Sequence, residues 1–285
     1  AIAYVMYVRK ENSIRLSNAC RSVLHKKSDG WLGHIVDILV VFGIVGSIST
    51  SLGIGAPVLS DIIREVFGIP AQYDFTVKII VLIIWVLIFG TSVYLGLDKG
   101  IQRLSNINVV LAFIFMGLIL LIGPTMQIFK MEVNSIGLYA SDFIKMSTYT
   151  DPFGEGKFSS EWTVFYWGWW IAFMPMMGMF VGKISRGRTI KNVMWGQLLW
   201  GTLGCCCRFM IFGSLYLQQS GKVDLATILA EEGNSGAIIA ILRTLPMSKI
   251  MMLFLCIVCF VYLATTIDSC AYVLAGTTTK RLSYK

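Results

Sequence analysis

Apolar residues fill this chain in long runs rather than in strict alternation or narrow helical stripes. Six runs reach the roughly 20 mostly apolar residues that a bilayer-spanning helix needs. They lie at 34–58, 76–96, 106–128, 162–182, 193–216 and 250–272. Short polar links join most of them, and two intervening segments are longer. In 129–161, Ile136, Tyr139, Phe143 and Met146 recur at i, i+3, i+7 and i+10. That spacing predicts an amphipathic helix near 135–147, lying on the membrane interface. The Asp151-Pro152-Phe153-Gly154 turn then leads into the fourth run. The segment 223–244 is expected to be helical and polar enough to rest at the surface or cap the protein. Ala1 to Tyr7 reads as the end of a further span, so the chain is expected to be a fragment open at the front. The pattern predicts an all-α integral membrane protein, a multi-span helical bundle, with 1–285 as a single transmembrane domain.

Composition supports lipid as the solvent. Of 285 residues, 56% are hydrophobic and 14% charged, and the mean hydropathy is +0.72. A soluble domain carries about 25% charged residues, so this chain could not cover a water-facing surface. The net charge of +8 is set by topology. If alternate links share a side, 8–33, 97–105, 183–192 and 273–285 fall together. That side holds the Lys and Arg residues at 9, 10, 15, 21, 26, 27, 99, 103, 183, 186, 188, 191, 280, 281 and 285, fifteen in all. The other side holds the eight at 64, 78, 130, 145, 157, 222, 243 and 249. Cytoplasmic links carry the Lys/Arg excess, so the first side is expected to face the cytoplasm and no nucleic-acid partner is implied. Six of the seven cysteines lie in or beside apolar runs and act as small hydrophobes. His25 and His34 have no ligand or triad partners at useful spacing. The sequence carries no enzyme constellation and calls for no organic cofactor.

The most specific stretch is Glu161 to Phe180, EWTVFYWGWWIAFMPMMGMF. At 100° per residue, Trp162, Tyr166, Trp169 and Phe173 fall within roughly 60° of one helix face. Trp170 and Met177 flank that face, and Trp167 points away. Pro175, Gly168 and Gly178 lead us to expect a kinked or partly unwound helix, the kind from which transporters build solute sites. A column of rings suits a cation whose charge is spread over methyl groups. Trimethylammonium has no N–H to donate, whereas ring quadrupoles attract it by about 0.5–2 kcal/mol per contact. Interfacial anchoring and simple packing are the competing explanations of such aromatics.

The run Trp162 to Trp170, followed by Ile184-Ser185-Arg186-Gly187-Arg188-Thr189, resembles the signature of the betaine/choline/carnitine transporter (BCCT) family. Ser51-Leu52-Gly53-Ile54-Gly55, Leu104-Ser105-Asn106 and Thr265-Thr266-Ile267-Asp268-Ser269 resemble the same family in order along the chain. The resemblance implies a twelve-helix, LeuT-like inverted-repeat fold, of which this chain would cover the end of the fourth helix to the tenth. It also implies homotrimeric assembly, alternating access and a multi-pass place in the cell membrane. Carried over by position, Trp162 and Tyr166 match the outer part of a solute path. Trp169, Trp170 and Phe173 match an aromatic box for the ammonium, with Phe173 standing where the family has tryptophan or tyrosine. Thr265 and Thr266 match half of a sodium site, so Na⁺ is the candidate coupling ion; backbone hydrogen bonding is their ordinary alternative. Met177 points the other way, because sodium-independent exchangers carry methionine there together with an arginine at the position of Asn108. The threonines of a second family sodium site fall on Ile44 and Ile48, so that site is not expected.

Arg208 and Asp268 are intramembrane charges at different depths, and such charges are functional by default. The expected function is sodium-coupled secondary active transport of quaternary-ammonium compounds (glycine betaine, choline or carnitine) by alternating access with an aromatic cage, with two alternatives. These are sodium-independent exchange of carnitine or betaine, and a membrane osmolyte sensor that binds without transporting.

Overall fold

The structure is a computed structural model that describes residues 2–8, 15–95, 100–152, 154, 158–221 and 223–278. The basic residues Arg9, Lys10, Lys99, Lys157, Lys222, Lys280, Arg281 and Lys285, and Phe153 of the turn, lie outside the described residues. Twelve α-helices follow in order among those described: α1 Ile2–Tyr7, α2 Leu16–Ala19, α3 Arg21–Leu24, α4 Trp31–Phe67, α5 Asp74–Leu95, α6 Gln102–Ile122, α7 Thr125–Thr148, α8 Val164–Ile184, α9 Ile190–Trp195, α10 Thr202–Gln219, α11 Leu225–Arg243 and α12 Ser248–Thr278. π-Helical turns at Ser159–Thr163 and Gly196–Gly201 precede α8 and join α9 to α10.

Each of the six apolar runs falls within a helix long and apolar enough to cross a membrane, with one displaced boundary. The third run was expected to continue to 128, but α6 stops at Ile122 and a new helix starts at Thr125. Pro124 is the cause, since it lacks the N–H that would continue the ladder. The predicted amphipathic segment is thus the later part of α7, and its stripe residues Ile136, Tyr139, Phe143 and Met146 are exposed.

A seventh helix, α11, meets the same measure of length and hydropathy. It is not a straight rod. Gly233 has φ 70° and ψ −164°, a left-handed backbone that glycine adopts without a Cβ clash. The bend leaves two arms, each rising on the order of 15 Å, about half of a bilayer core.

The chain divides into two compact units: Ala1–Ser51, Thr148–Val193 and Thr266–Lys285 form the first, and Leu52–Ser147 with Met194–Thr265 the second. In the first, Val40 and Ile44 of α4 pack with Met176 and Met179 of α8 and with Cys270 and Val273 of α12. A Cβ placed on Gly43 would stand 3.0 Å from the carbonyl oxygen of Ala172, so glycine is what lets α4 and α8 approach. Ser17 secures the polar end, donating its backbone N–H (3.1 Å) and its hydroxyl (2.8 Å) to the carboxylate of Asp37.

In the second unit, Leu59, Ile62, Val81 and Ile119 are completely buried. The Trp85 indole N–H donates to the Phe260 carbonyl at 3.2 Å, and its ring meets Phe260 edge-on at 5.6 Å. Phe115 contacts both Phe212 and Phe254 at 5.6 Å. Arg64 bridges Asp61 (3.0 Å) and Asp74 (3.2 Å). The second arm of α11 is pinned to α4 at two points, by the Arg243–Glu65 ion pair at 2.7 Å and by the Ser235 hydroxyl donating to Asp61. A cleft of about 480 Å³ opens between these charged residues.

Candidate functional site

Helix α8 carries the aromatic stretch, and its side chains form one continuous ladder of rings. Trp162 stacks on Tyr166 at 6.1 Å, and Tyr166 meets Trp169 at 6.0 Å. Trp169 contacts Trp170 at 6.5 Å, and Trp170 meets Phe173 edge-on at 6.5 Å. Five of the sequence-predicted residues are therefore linked ring to ring. Met177, the sixth, packs with Phe173 against the buried Met176 and Met179. Trp162, Tyr166 and Trp170 are 42%, 45% and 59% exposed, and Trp169, Phe173 and Met177 are half-buried. Trp167 is exposed and stands outside the ladder.

Sequence reasoning missed one member. Phe165 contacts Trp162 (6.3 Å), Tyr166 (5.5 Å) and Trp169 (5.8 Å). The same wheel arithmetic places it about 60° from Trp162, just off the chosen face. The expected unwinding is also corrected. α8 is continuous through Gly168, Pro175 and Gly178, and the irregular backbone is instead the π-turn at Ser159–Thr163 ahead of it. Proline forfeits a single backbone hydrogen bond, and neighbouring packing keeps a membrane helix going past it.

Trp169 has one further feature. Its Nε1 is buried and has no hydrogen-bond partner among the described residues, although an indole N–H buried in a folded protein ordinarily finds one.

The threonines lie on α12, both half-buried. Thr265 donates its hydroxyl proton to the Tyr262 carbonyl at 2.7 Å and accepts from Asn108 Nδ2 at 3.4 Å. Backbone hydrogen bonding is thus realised for Thr265. Asn108 entered the sequence reading only as a position without arginine, yet it is the polar residue that reaches Thr265. Arg208 places its guanidinium 5.2 Å from the centre of the Tyr262 ring. Asp268 is completely buried, and Ile44 sits in the apolar core of the first unit.

Comparison with known proteins agrees with this architecture. A protein of Acinetobacter baumannii named "Carnitine transporter" is 36% identical over 285 residues, 99% of this chain and 52% of that protein. A protein of Escherichia coli named "Uncharacterized transporter YeaV" is 35% identical over 283 residues, 99% of this chain and 58% of that protein. The chain thus spans about half the length of these curated relatives. Both are named as transporters, not enzymes. The family described as "BCCT, betaine/carnitine/choline family transporter" matches residues 1–283. With membrane-length helices along its course and a family match over almost every residue, this chain belongs to the BCCT family of transporters.

Proposed function

We propose that the full-length protein is a secondary active transporter of quaternary-ammonium solutes of the betaine, carnitine and choline type, resident in the cell membrane. The observation that carries this reading is the unbroken ring ladder from Trp162 to Phe173. Successive π-faces on one helix offer repeated attraction to a methylated cation and no hydrogen bonds, which matches the chemistry of trimethylammonium. Trp162 and Tyr166 serve the outer part of the path, and Trp169, Trp170, Phe173 and Met177 surround the ammonium. The name of the Acinetobacter relative is in keeping with such a solute.

Sodium coupling is the second part of the proposal. The hydroxyls of Thr265 and Thr266, adjacent on α12, are hard oxygen donors of the kind an alkali cation prefers, and the family resemblance puts half of a sodium site at these two positions. The proposed assembly is a homotrimer, on family grounds.

Labelled betaine, carnitine and choline are presented to the full-length protein in liposomes, with and without a sodium gradient. Uptake that accumulates against a gradient only with sodium supports both parts. Uptake indifferent to sodium removes the assignment of Thr265 and Thr266 and favours exchange. Trp169→Leu abolishes uptake while membrane insertion is retained; unchanged transport would rule out the ring site. Binding of these solutes without any flux would support the sensor reading instead.

A further inference from the structure

A further cavity lies in the first unit, at the end of α4 away from the Arg243–Glu65 pair. It measures about 300 Å³, and Arg15, His34, Asp37, Ile38, Val41 and Thr278 line it. Arg15 is half-buried. Its guanidinium has no hydrogen bond or ion pair among the described residues, and its Nε is buried without an acceptor. Buried polar groups are ordinarily satisfied, yet Asp37 on the same wall does not serve Arg15. That carboxylate is held by Ser17 instead, through a backbone N–H at 3.1 Å and a hydroxyl at 2.8 Å. Each of its oxygens can still accept a second bond. Thr278 adds another acceptor, because its hydroxyl proton is given to the Leu274 and Ala275 carbonyls at 2.9 and 3.1 Å. The cavity thus presents one cationic donor and, apart from it, acceptors open to N–H groups.

The walls also change character along the helix. His34, Ile38 and Val41 recur at i, i+4 and i+7 on one face of α4, so a polar mouth gives way to an apolar wall one to two turns further in. Trp31, 70% exposed, marks the first turn of α4 as headgroup level, where tryptophan is enriched. A ligand charged at one end and apolar at the other, at that depth, is a phospholipid. We propose that this cavity binds a phospholipid whose headgroup pairs a phosphate with a primary amine. Arg15 takes the phosphate, Asp37 and Thr278 accept from the ammonium, and the acyl chains run along Ile38 and Val41. A trimethylated headgroup has no N–H for those acceptors, and a glycerol headgroup brings no positive charge to Asp37. Both are held less tightly.

Delipidated full-length protein in detergent is titrated with phosphatidylethanolamine, phosphatidylcholine and phosphatidylglycerol, and bound lipid is read by native mass spectrometry. The choline and glycerol headgroups are expected to bind about tenfold more weakly than ethanolamine. Arg15→Gln should weaken the ethanolamine lipid by about tenfold and bring the three headgroups close to one another. Equal retention of the three by wild type overturns the proposal, since it describes an unselective lipid coat. An ethanolamine lipid held as tightly by Arg15→Gln as by wild type also overturns it. Displacement of the lipid by inorganic phosphate overturns it in favour of a site for the free anion. Should Arg15→Gln fail to insert, Val41→Trp, which fills the apolar wall and leaves the charges in place, makes the same comparison; retention unchanged in that variant overturns the proposal.

Discussion

Arg208 of α10 holds its guanidinium carbon 5.2 Å from the centroid of the Tyr262 ring on α12, within cation–π range. A charged residue in an apolar helix is costly, and the ring face offsets part of that cost without a counter-ion. Tyr262→Leu is expected to destabilise the full-length protein by about 1 kcal/mol, and Tyr262→Phe by less. A double-mutant cycle with Arg208→Gln, read by thermal unfolding in detergent, should give a coupling of about 0.5–1 kcal/mol. Strictly additive effects would show that the pair contributes nothing.

Thr265 gives its proton to one carbonyl and accepts from Asn108. If its hydroxyl oxygen meets sodium, Thr265→Ala should raise the sodium concentration for half-maximal uptake by about tenfold or more. Thr265→Ser should stay near wild type. Asn108→Leu, which releases the hydroxyl to rotate, should give a smaller rise with little change in maximal rate. Sodium titration of uptake by the full-length protein separates these outcomes.

Gly43 is where α4 meets the backbone of α8, and an added Cβ would stand 3.0 Å from the Ala172 carbonyl oxygen. Gly43→Ala should cost on the order of 1 kcal/mol, and Gly43→Leu substantially more, because the obstacle is backbone. Thermal unfolding of the two variants tests the order.

Asp224 begins α11 by accepting from Thr227, from its hydroxyl at 2.6 Å and its backbone N–H at 3.3 Å. These bonds, the hydroxyl foremost, hold its carboxyl below the usual value near 3.8. The folded pKa is the depressed one, so the cap's contribution is full above the unfolded value and lost as pH falls through the folded value. Amide exchange at Thr227 should therefore quicken in strong acid, and Asp224→Ala should show the quick exchange at neutral pH. Equal protection in the variant would exclude the cap.

Most of the helices were legible in the sequence because lipid permits few alternatives to a long apolar helix. What escaped was decided by single residues or by distance along the chain. Pro124 divides what reads as one apolar stretch into α6 and the start of α7. Gly233 bends α11, and a lone glycine in a polar helix does not announce whether it will be left-handed. Pro175 worked in the opposite sense, since with Gly168 and Gly178 it led to the expectation of a kinked or partly unwound helix, and α8 runs on through all three. In the ring ladder, a wheel drawn too narrowly hid Phe165. The Asn108–Thr265 bond joins residues 157 positions apart, and no local pattern marks such a partner.

Helix α4 has 37 residues, about 55 Å at 1.5 Å per residue, against a hydrocarbon layer near 30 Å. The helix thus has more residues than a crossing needs. Its final turns carry Asp61, Arg64 and Glu65, and the Arg243–Glu65 pair is 60% and 33% exposed, open to ions. Added electrolyte, screening over about 8 Å at physiological strength, should weaken this ion pair long before it disturbs the apolar contacts beneath. The medium bathing the membrane therefore acts on this one clasp, while Leu225, Ile239, Ile241 and Leu242 hold the same helix through the buried apolar core.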